Sequence, residues 1–178
     1  PVELSFDYTD RELAFLAAYD SDPVNRWDAA QRTFVAAMLW LARESRAGRG
    51  MALMPVVEHV VAHLLEDESG DPALIALALM PPDPAYVAAM EAEQDADGVV
   101  AARAFLMREL AGRLRVPFEA LVARHKPRER YAPTPAQIGR RRLRNVALRY
   151  LGALDDAGSR ALAAAQYDAA DNMTDAIA

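Results

Sequence analysis

"DPVNRWDAAQRTFVAAMLWLARESRAGRG", Asp22 to Gly50, decides the fold class. An aspartate stands directly before a proline. Its carboxylate can accept a free N–H of the first helical turn, and the proline, having no N–H, forfeits no bond there. From Pro23 the residues Trp27, Ala30, Phe34, Val35, Met38, Leu41 and Ala42 recur at intervals of three and four, which sets an apolar stripe along one side of a helix. The glycines of "AGRG" (Ala47–Gly50) end it. The same signpost returns at Asp71-Pro72, Asp83-Pro84 and Thr134-Pro135. Further helices are expected over residues 10–20, 55–67, 72–80, 84–93, 97–114, 117–125, 135–155 and 157–169, and "NMTDAIA" at the end of the chain starts another. Short connections between many one-sided helices predict an all-α array of stacked antiparallel helices, superhelix-like rather than a single four-helix bundle. No fixed-period self-similarity is visible, so a regular repeat solenoid is not expected.

Only the first eight residues break this pattern. In "PVELSFDY" the side chains of Val2, Leu4, Phe6 and Tyr8 alternate with Glu3, Ser5 and Asp7, the period of a strand with one buried face. A single strand cannot pair its own backbone groups, so it is expected to belong to a sheet formed by residues upstream. The chain opens on Pro1 rather than a methionine and closes inside a starting helix, so both ends read as cut from something longer.

The 178 residues are 53% hydrophobic, ample for a core. Absence of cysteine excludes a disulfide framework, a thiolate metal site and a cysteine nucleophile. No long apolar run and no leader-like start are present, so neither a membrane span nor a signal peptide is expected, and a cytoplasmic location is. The net charge of −6 hides a segregation. Residues 1–123 hold 10 basic and 20 acidic side chains, residues 124–149 nine and one, and the remaining tail one and five.

Two motifs compete for a chemical role. "EHVVAHLLE" (Glu58–Glu66) puts His59, His63 and Glu66 along one helical face, the spacing of many zinc sites. The zincin arrangement H-E-x-x-H needs a glutamate directly after the first histidine, where Val60 stands, and Glu58 lies about 100° around the helix from His59. A plain helix with two flanking histidines is the better reading. "GRRRLRNVALR" (Gly139–Arg149) is the basic block. Ile138, Leu143, Val146, Ala147, Tyr150, Leu151 and Leu154 form its buried stripe, with Arg140, Arg141, Arg144 and Arg149 mostly on other sides. The acidic whole and the lack of interleaved aromatics beyond Tyr131 and Tyr150 weigh against nucleic acid; a basic helix docked on an acidic neighbour explains it equally well. No catalytic triad, glycine-rich phosphate loop or EF-hand pattern occurs.

Two stretches carry a family likeness. "PVELSFDYTDRELAFL" followed by "DPVNRWDAAQ" resembles the junction in bacterial-type aminopeptidase N, a gluzincin zinc metallopeptidase, where the last strand of a β-sandwich domain runs into a large C-terminal helical domain. "RRLRNVALRYLGAL" with "QYDAADNMTDAIA" (Arg141–Ala178) is similar to a later segment of that domain, in matching order and separation. Residues 48–130 resemble it loosely, "DPALIALAL" being the best anchor. The resemblance implies that residues 1–9 are the last strand of an upstream sandwich and that 10–178 are the N-terminal part of the helical domain, truncated at its C-terminus. It implies a parent enzyme that removes N-terminal residues from peptides with zinc-activated water, the zinc bound outside this segment. The family's H-E-x-x-H, distal Glu, Gly-x-Met-Glu-Asn and catalytic Tyr motifs do not occur here, so no catalytic, metal or substrate-binding residue is carried over and this segment is expected to be inactive alone. Its implied role is a cap enclosing the active-site chamber. Its partners would be the catalytic and sandwich domains of the same polypeptide and the parent's peptide substrates, with no membrane and no nucleic acid. Arg26, Trp27, Asp28, Gln31, Asn172, Thr174 and Asp175 are assigned to structure, Trp27 as a core anchor. Two alternatives stay open: a free-standing helical scaffold for protein partners and, ranked below it, a basic-helix nucleic-acid binder.

Overall fold

Each of the four Asp-Pro and Thr-Pro signposts caps a helix. Asp22, Asp71 and Asp83 accept the N–H groups of Val24, Ala73 and Ala85 at 2.7–2.8 Å, and Thr134 accepts that of Gln137 at 3.3 Å. A computed structural model describes residues 7–91 and 95–178 and places ten helices and no strand among them. They are α1 (Asp10–Tyr19), α2 (Pro23–Arg46), α3 (Pro55–Glu66), α4 (Pro72–Leu79), α5 (Pro84–Ala88), α6 (Ala96–Arg113), α7 (Arg115–Arg124), α8 (Pro135–Gly152), α9 (Ala157–Ala169) and α10 (Met173–Ala176). Of the expected strand over residues 1–8, residues 1–6 lie outside the described residues, and Asp7–Thr9 are irregular.

Three boundaries differ from expectation by two residues or more, each for a local reason. α5 ends at Ala88 because the N–H groups of Met90 and Glu91 turn back to carbonyls only three residues earlier. α8 ends at Gly152 in the same way, the chain then leaving through Asp155 at φ 51°. α7 starts two residues early because Pro117 sits in its first turn, where an N–H has no helical partner.

Two long helices organise the rest. α2 packs against α1, α3, α4, α5 and α6, while α8 packs against α4, α6, α7 and α9; α4 and α6 therefore lie between them. The shared core includes Phe34, Met38 and Leu41 of α2, Leu106 and Leu110 of α6, Phe118 of α7, and Tyr150 and Leu151 of α8. α4 and α8 approach closely at one point. A Cβ on Gly139 would lie 3.3 Å from the backbone nitrogen of Ala73, tighter than side chains ordinarily pack. At the far edge α10 meets only α9 among the well-packed pairs.

α4 poses a problem that side chains from both long helices solve. Its sequence, PALIALAL, is wholly apolar, and Pro81-Pro82 follow Met80 with no N–H to offer its last carbonyls. From α8 the buried Tyr150 hydroxyl donates to the Leu79 carbonyl at 2.7 Å, its ring stacked on Phe118 at 4.6 Å. From α2 the Gln31 amide donates to the Met80 carbonyl at 3.0 Å and to that of Leu77 at 3.4 Å. Burial pushes the Tyr150 phenol well above its ordinary range, so it stays a donor.

A third clamp ties the N-terminal helices together. Arg26 donates to the Ala17 carbonyl at 3.1 Å and pairs with Asp67 at 2.7 Å, joining α1, α2 and the end of α3. Burial pushes the Asp67 carboxyl up, but Arg26, the Ser69 hydroxyl and the N–H groups of Gly70 and Ser69 outweigh it and hold its pKa at about 2. Trp27 corrects the sequence reading. It shares the stripe's side but lies one turn before Ala30, at the end of the packed stretch, and is left 39% exposed. Ile138, expected in the buried stripe of α8, is likewise 43% exposed.

Two predictions follow from these clamps. Tyr150→Phe keeps the stacked ring but strands the Leu79 carbonyl, and urea denaturation should register a loss of about 1–2 kcal/mol; an unchanged midpoint would show that the bond adds nothing. Because the folded pKa of Asp67 lies below its ordinary 3.8, its contribution to stability is fully present above roughly pH 4 and fades as the pH falls towards about 2. Asp67→Asn should therefore flatten that limb of the stability–pH curve, read by thermal melts at successive pH values.

Candidate functional site

The histidine motif lies on the flank of α3. Val57, Val60, Val61 and Leu64 are buried, which turns His59 outward. His63 packs its ring against Tyr19 at 4.8 Å, and Glu58 is held by Arg113 of α6 at 2.9 Å. Among the described residues no three His, Asp or Glu side chains converge to hold a metal ion. These residues do not fit a zinc centre.

The basic block, by contrast, builds a site. The loop of residues 125–134 folds over the first turns of α8 and meets the α9–α10 junction. Gln137 of α8 does most of the pinning: its side-chain oxygen accepts the Ala132 N–H at 2.8 Å, and its amide donates to the Arg130 carbonyl at 3.2 Å. Asp171, just after α9, accepts the Tyr131 N–H at 3.1 Å. The loop thus closes a cleft of about 320 Å³. Arg141 forms its fixed wall, with the guanidinium 4.7 Å from the centre of the Tyr131 ring and 3.5 Å from the Asp175 carboxylate.

Behind that wall lies a buried polar lock. Asp175 is 5% exposed, receives an N–H from Asn172 at 3.0 Å, and faces the Asn145 amide at 3.4 Å. Gln166 of α9 donates to the Asn145 side chain at 3.0 Å and to the Asp175 carbonyl at 3.1 Å; Asn145 also reaches the Thr174 carbonyl at 3.3 Å. Arg144 is buried beside this group, and burial draws its pKa downward against the opposing charge of Asp175. So Arg141 and Arg144 do dock on an acidic neighbour, whereas Arg140, Arg142 and Arg149 remain exposed. His125 at the cleft rim is held below its ordinary pKa by burial and then by Arg124 and Arg140, with Glu68 opposing.

The residues assigned to structure sort themselves plainly. Arg26 and Gln31 clamp helices together, Asp28 pairs with Arg32 one turn on at the surface, Asn172 caps α10, and Asp175 anchors it. Lys126 and Arg128 of the cleft were singled out by no motif. Their only trace in the sequence is the charge segregation that begins at Arg124.

A family model described as "Domain of unknown function (DUF3458_C) ARM repeats" matches residues 10–178. Its repeat description corrects the expectation drawn from the lack of a fixed period: helices here run from 4 to 24 residues, which blurs any regular spacing. Aminopeptidase N of Haemophilus influenzae is 31% identical over 178 residues, all of this chain and 20% of that protein. Aminopeptidase N of Escherichia coli is 30% identical over the same span and share. The chain thus spans about a fifth of the length of the curated relatives it matches. The crystal structure of Legionella pneumophila aminopeptidase A in complex with aspartic acid superposes with a TM-score of 0.79 at 23% identity, over 98% of this chain and 21% of that one, a likeness of fold.

Asp175→Ala would leave Arg141 and the buried Arg144 without their counter-charge, a loss of about 3 kcal/mol. Hydrogen exchange should localise the loosening to α10 and the facing turns of α8 and α9; uniform exchange across the chain would show that the lock is not local.

Proposed function

We propose that this chain, which belongs to the DUF3458_C family of ARM-repeat domains, is a non-catalytic helical segment of a zinc aminopeptidase that closes over the chamber in which peptides lose their N-terminal residues. The observation that carries the reading is the match of all 178 residues to aminopeptidase N of Haemophilus influenzae at 31% identity, within a fifth of that protein's length. Such a match fits one domain among several. The zinc and the groups around it then belong to other parts of the polypeptide.

Within this reading, residues 1–9 are the last strand of a preceding β-sandwich and residues 10–178 begin the helical domain. The helical array serves as a rigid wall. Its clamps at Arg26, Gln31 and Tyr150 hold shape rather than react. A wall of this kind admits flexible peptides and excludes folded proteins, which suits late steps of peptide breakdown in the cytoplasm. None of the helices among the described residues is long and apolar enough to cross a membrane.

The first test joins zinc analysis with hydrolysis of an alanyl fluorogenic substrate, both on one chelator-washed sample of the chain. Neither zinc nor turnover is expected. One tightly held zinc per chain, lost in His59→Ala and in His63→Ala, would overturn the reading. For the cap, the full-length enzyme should consume a short alanyl peptide and spare the same N-terminus fixed on a folded protein; equal rates on both would sink it.

A further inference from the structure

We propose that the cleft between the 125–134 loop and the first turns of α8 is a binding site for a small phosphate-bearing polyanion of diphosphate size. The inference stands on the cleft alone and does not depend on the peptidase reading. Five of its lining side chains are Arg or Lys and three are Asp or Glu, but the two signs are not evenly matched in space. Arg141 is already committed to Asp175 and to the Tyr131 ring, Arg124 to Glu68, and Asp171 to the Tyr131 N–H and the Asn172 amide. Lys126, Arg128 and Arg140 are left with no hydrogen-bonded or ion-paired partner among the described residues, though all three face one cavity.

Glu129, which receives the Gln137 amide at 3.4 Å, pairs with none of these three cations, which repel one another. Burial, then Arg124 and Arg140 (one of the three), hold the His125 pKa down. An anion relieves that repulsion. Guanidinium forks match the paired oxygens of phosphate, and an ammonium supplies a point charge beside them. A volume of about 320 Å³ is at the lower end of small-molecule sites, ample for a diphosphate and its water. The cleft is also prepared in advance: Gln137 and Asp171 fix the loop backbone, so few degrees of freedom remain to be lost on binding.

A nucleic-acid strand fits these observations less well. Base stacking needs a free aromatic face, and Tyr131 gives its ring to Arg141.

Calorimetric titration of pyrophosphate into the 178-residue chain tests the site. Saturable 1:1 binding is expected, weakened about tenfold in Arg128→Gln and again in Arg140→Gln, as for loss of one charge-assisted contact. Arg149→Gln, the same charge change further along α8, should leave affinity unchanged. Arg128 and Arg140 are exposed and make no bond within the fold, so circular dichroism melts should match the parent and confirm that the variants are folded. ATP run in parallel separates the sources: equal affinity assigns recognition to the phosphates of a free ion, and tighter binding assigns it to a nucleotide. No saturable binding, or equal weakening in Arg149→Gln, would overturn the proposal. So would a single-stranded oligonucleotide that binds more tightly than pyrophosphate and is weakened by Arg142→Gln and Arg149→Gln.

Discussion

The last turn of α4 is the constraint on which the arrangement depends. A short apolar helix that stops at two prolines leaves its last carbonyls short of backbone donors, and the buried Leu79 carbonyl, left unpaired, would be destabilising by an amount comparable to a lost hydrogen bond. Gln31 and Tyr150 meet that need from opposite sides. Each comes from one of the two long helices, so the requirement of α4 fixes the distance and rotation of α2 relative to α8. The apolar contacts around Met38, Leu106 and Leu151 supply most of the cohesion, but such contacts are non-directional. The three hydrogen bonds at the end of α4 select one register among those the core would tolerate.

Towards its far edge the array changes character. Between α2, α4, α6 and α8 the interfaces are apolar, whereas α9 buries only Ser159 and Gln166, and α10 is held by Asp175. A polar lock of this kind is specific rather than strongly cohesive: it tolerates one geometry and penalises neighbours that leave a charge alone. It also explains the basic block. Arg141 and Arg144 belong to the lock, and their neighbours Arg140, Arg142 and Arg149 look outward. One run of arginines thus serves two purposes because a helix turns successive residues through about 100°.

Much of the helical architecture was legible in the sequence, because capping and periodicity are local. Asp22-Pro23, Asp71-Pro72, Asp83-Pro84 and Thr134-Pro135 announce their helices within four residues. The misreadings mark where local rules stop. Trp27 has the right phase for burial, but whether anything covers a helix end depends on elements far away in the chain. The repeat character was hidden because helix lengths vary. The cleft was the least legible part: Gln137 reaching back to Arg130 and Ala132, and Asp171 reaching across 40 residues to Tyr131, are closures that no spacing rule encodes. Charge segregation pointed to the region without disclosing its shape.

Gly139 has a mechanical consequence. Where α8 crosses α4 there is almost no side-chain layer between the two backbones. Side chains are the compliant part of a helix interface, able to shift rotamer while backbones slide, and their absence leaves nothing to give. At that crossing the two backbones cannot slide past one another, and the first turns of α4 and α8 act there as one plate. Bending of the array is displaced to the next seam outward, between α8 and α9, where Asn145, Gln166 and Asp175 meet through hydrogen bonds that can lengthen and reform. That seam is the molecule's line of compliance, and the plate behind it is its anvil.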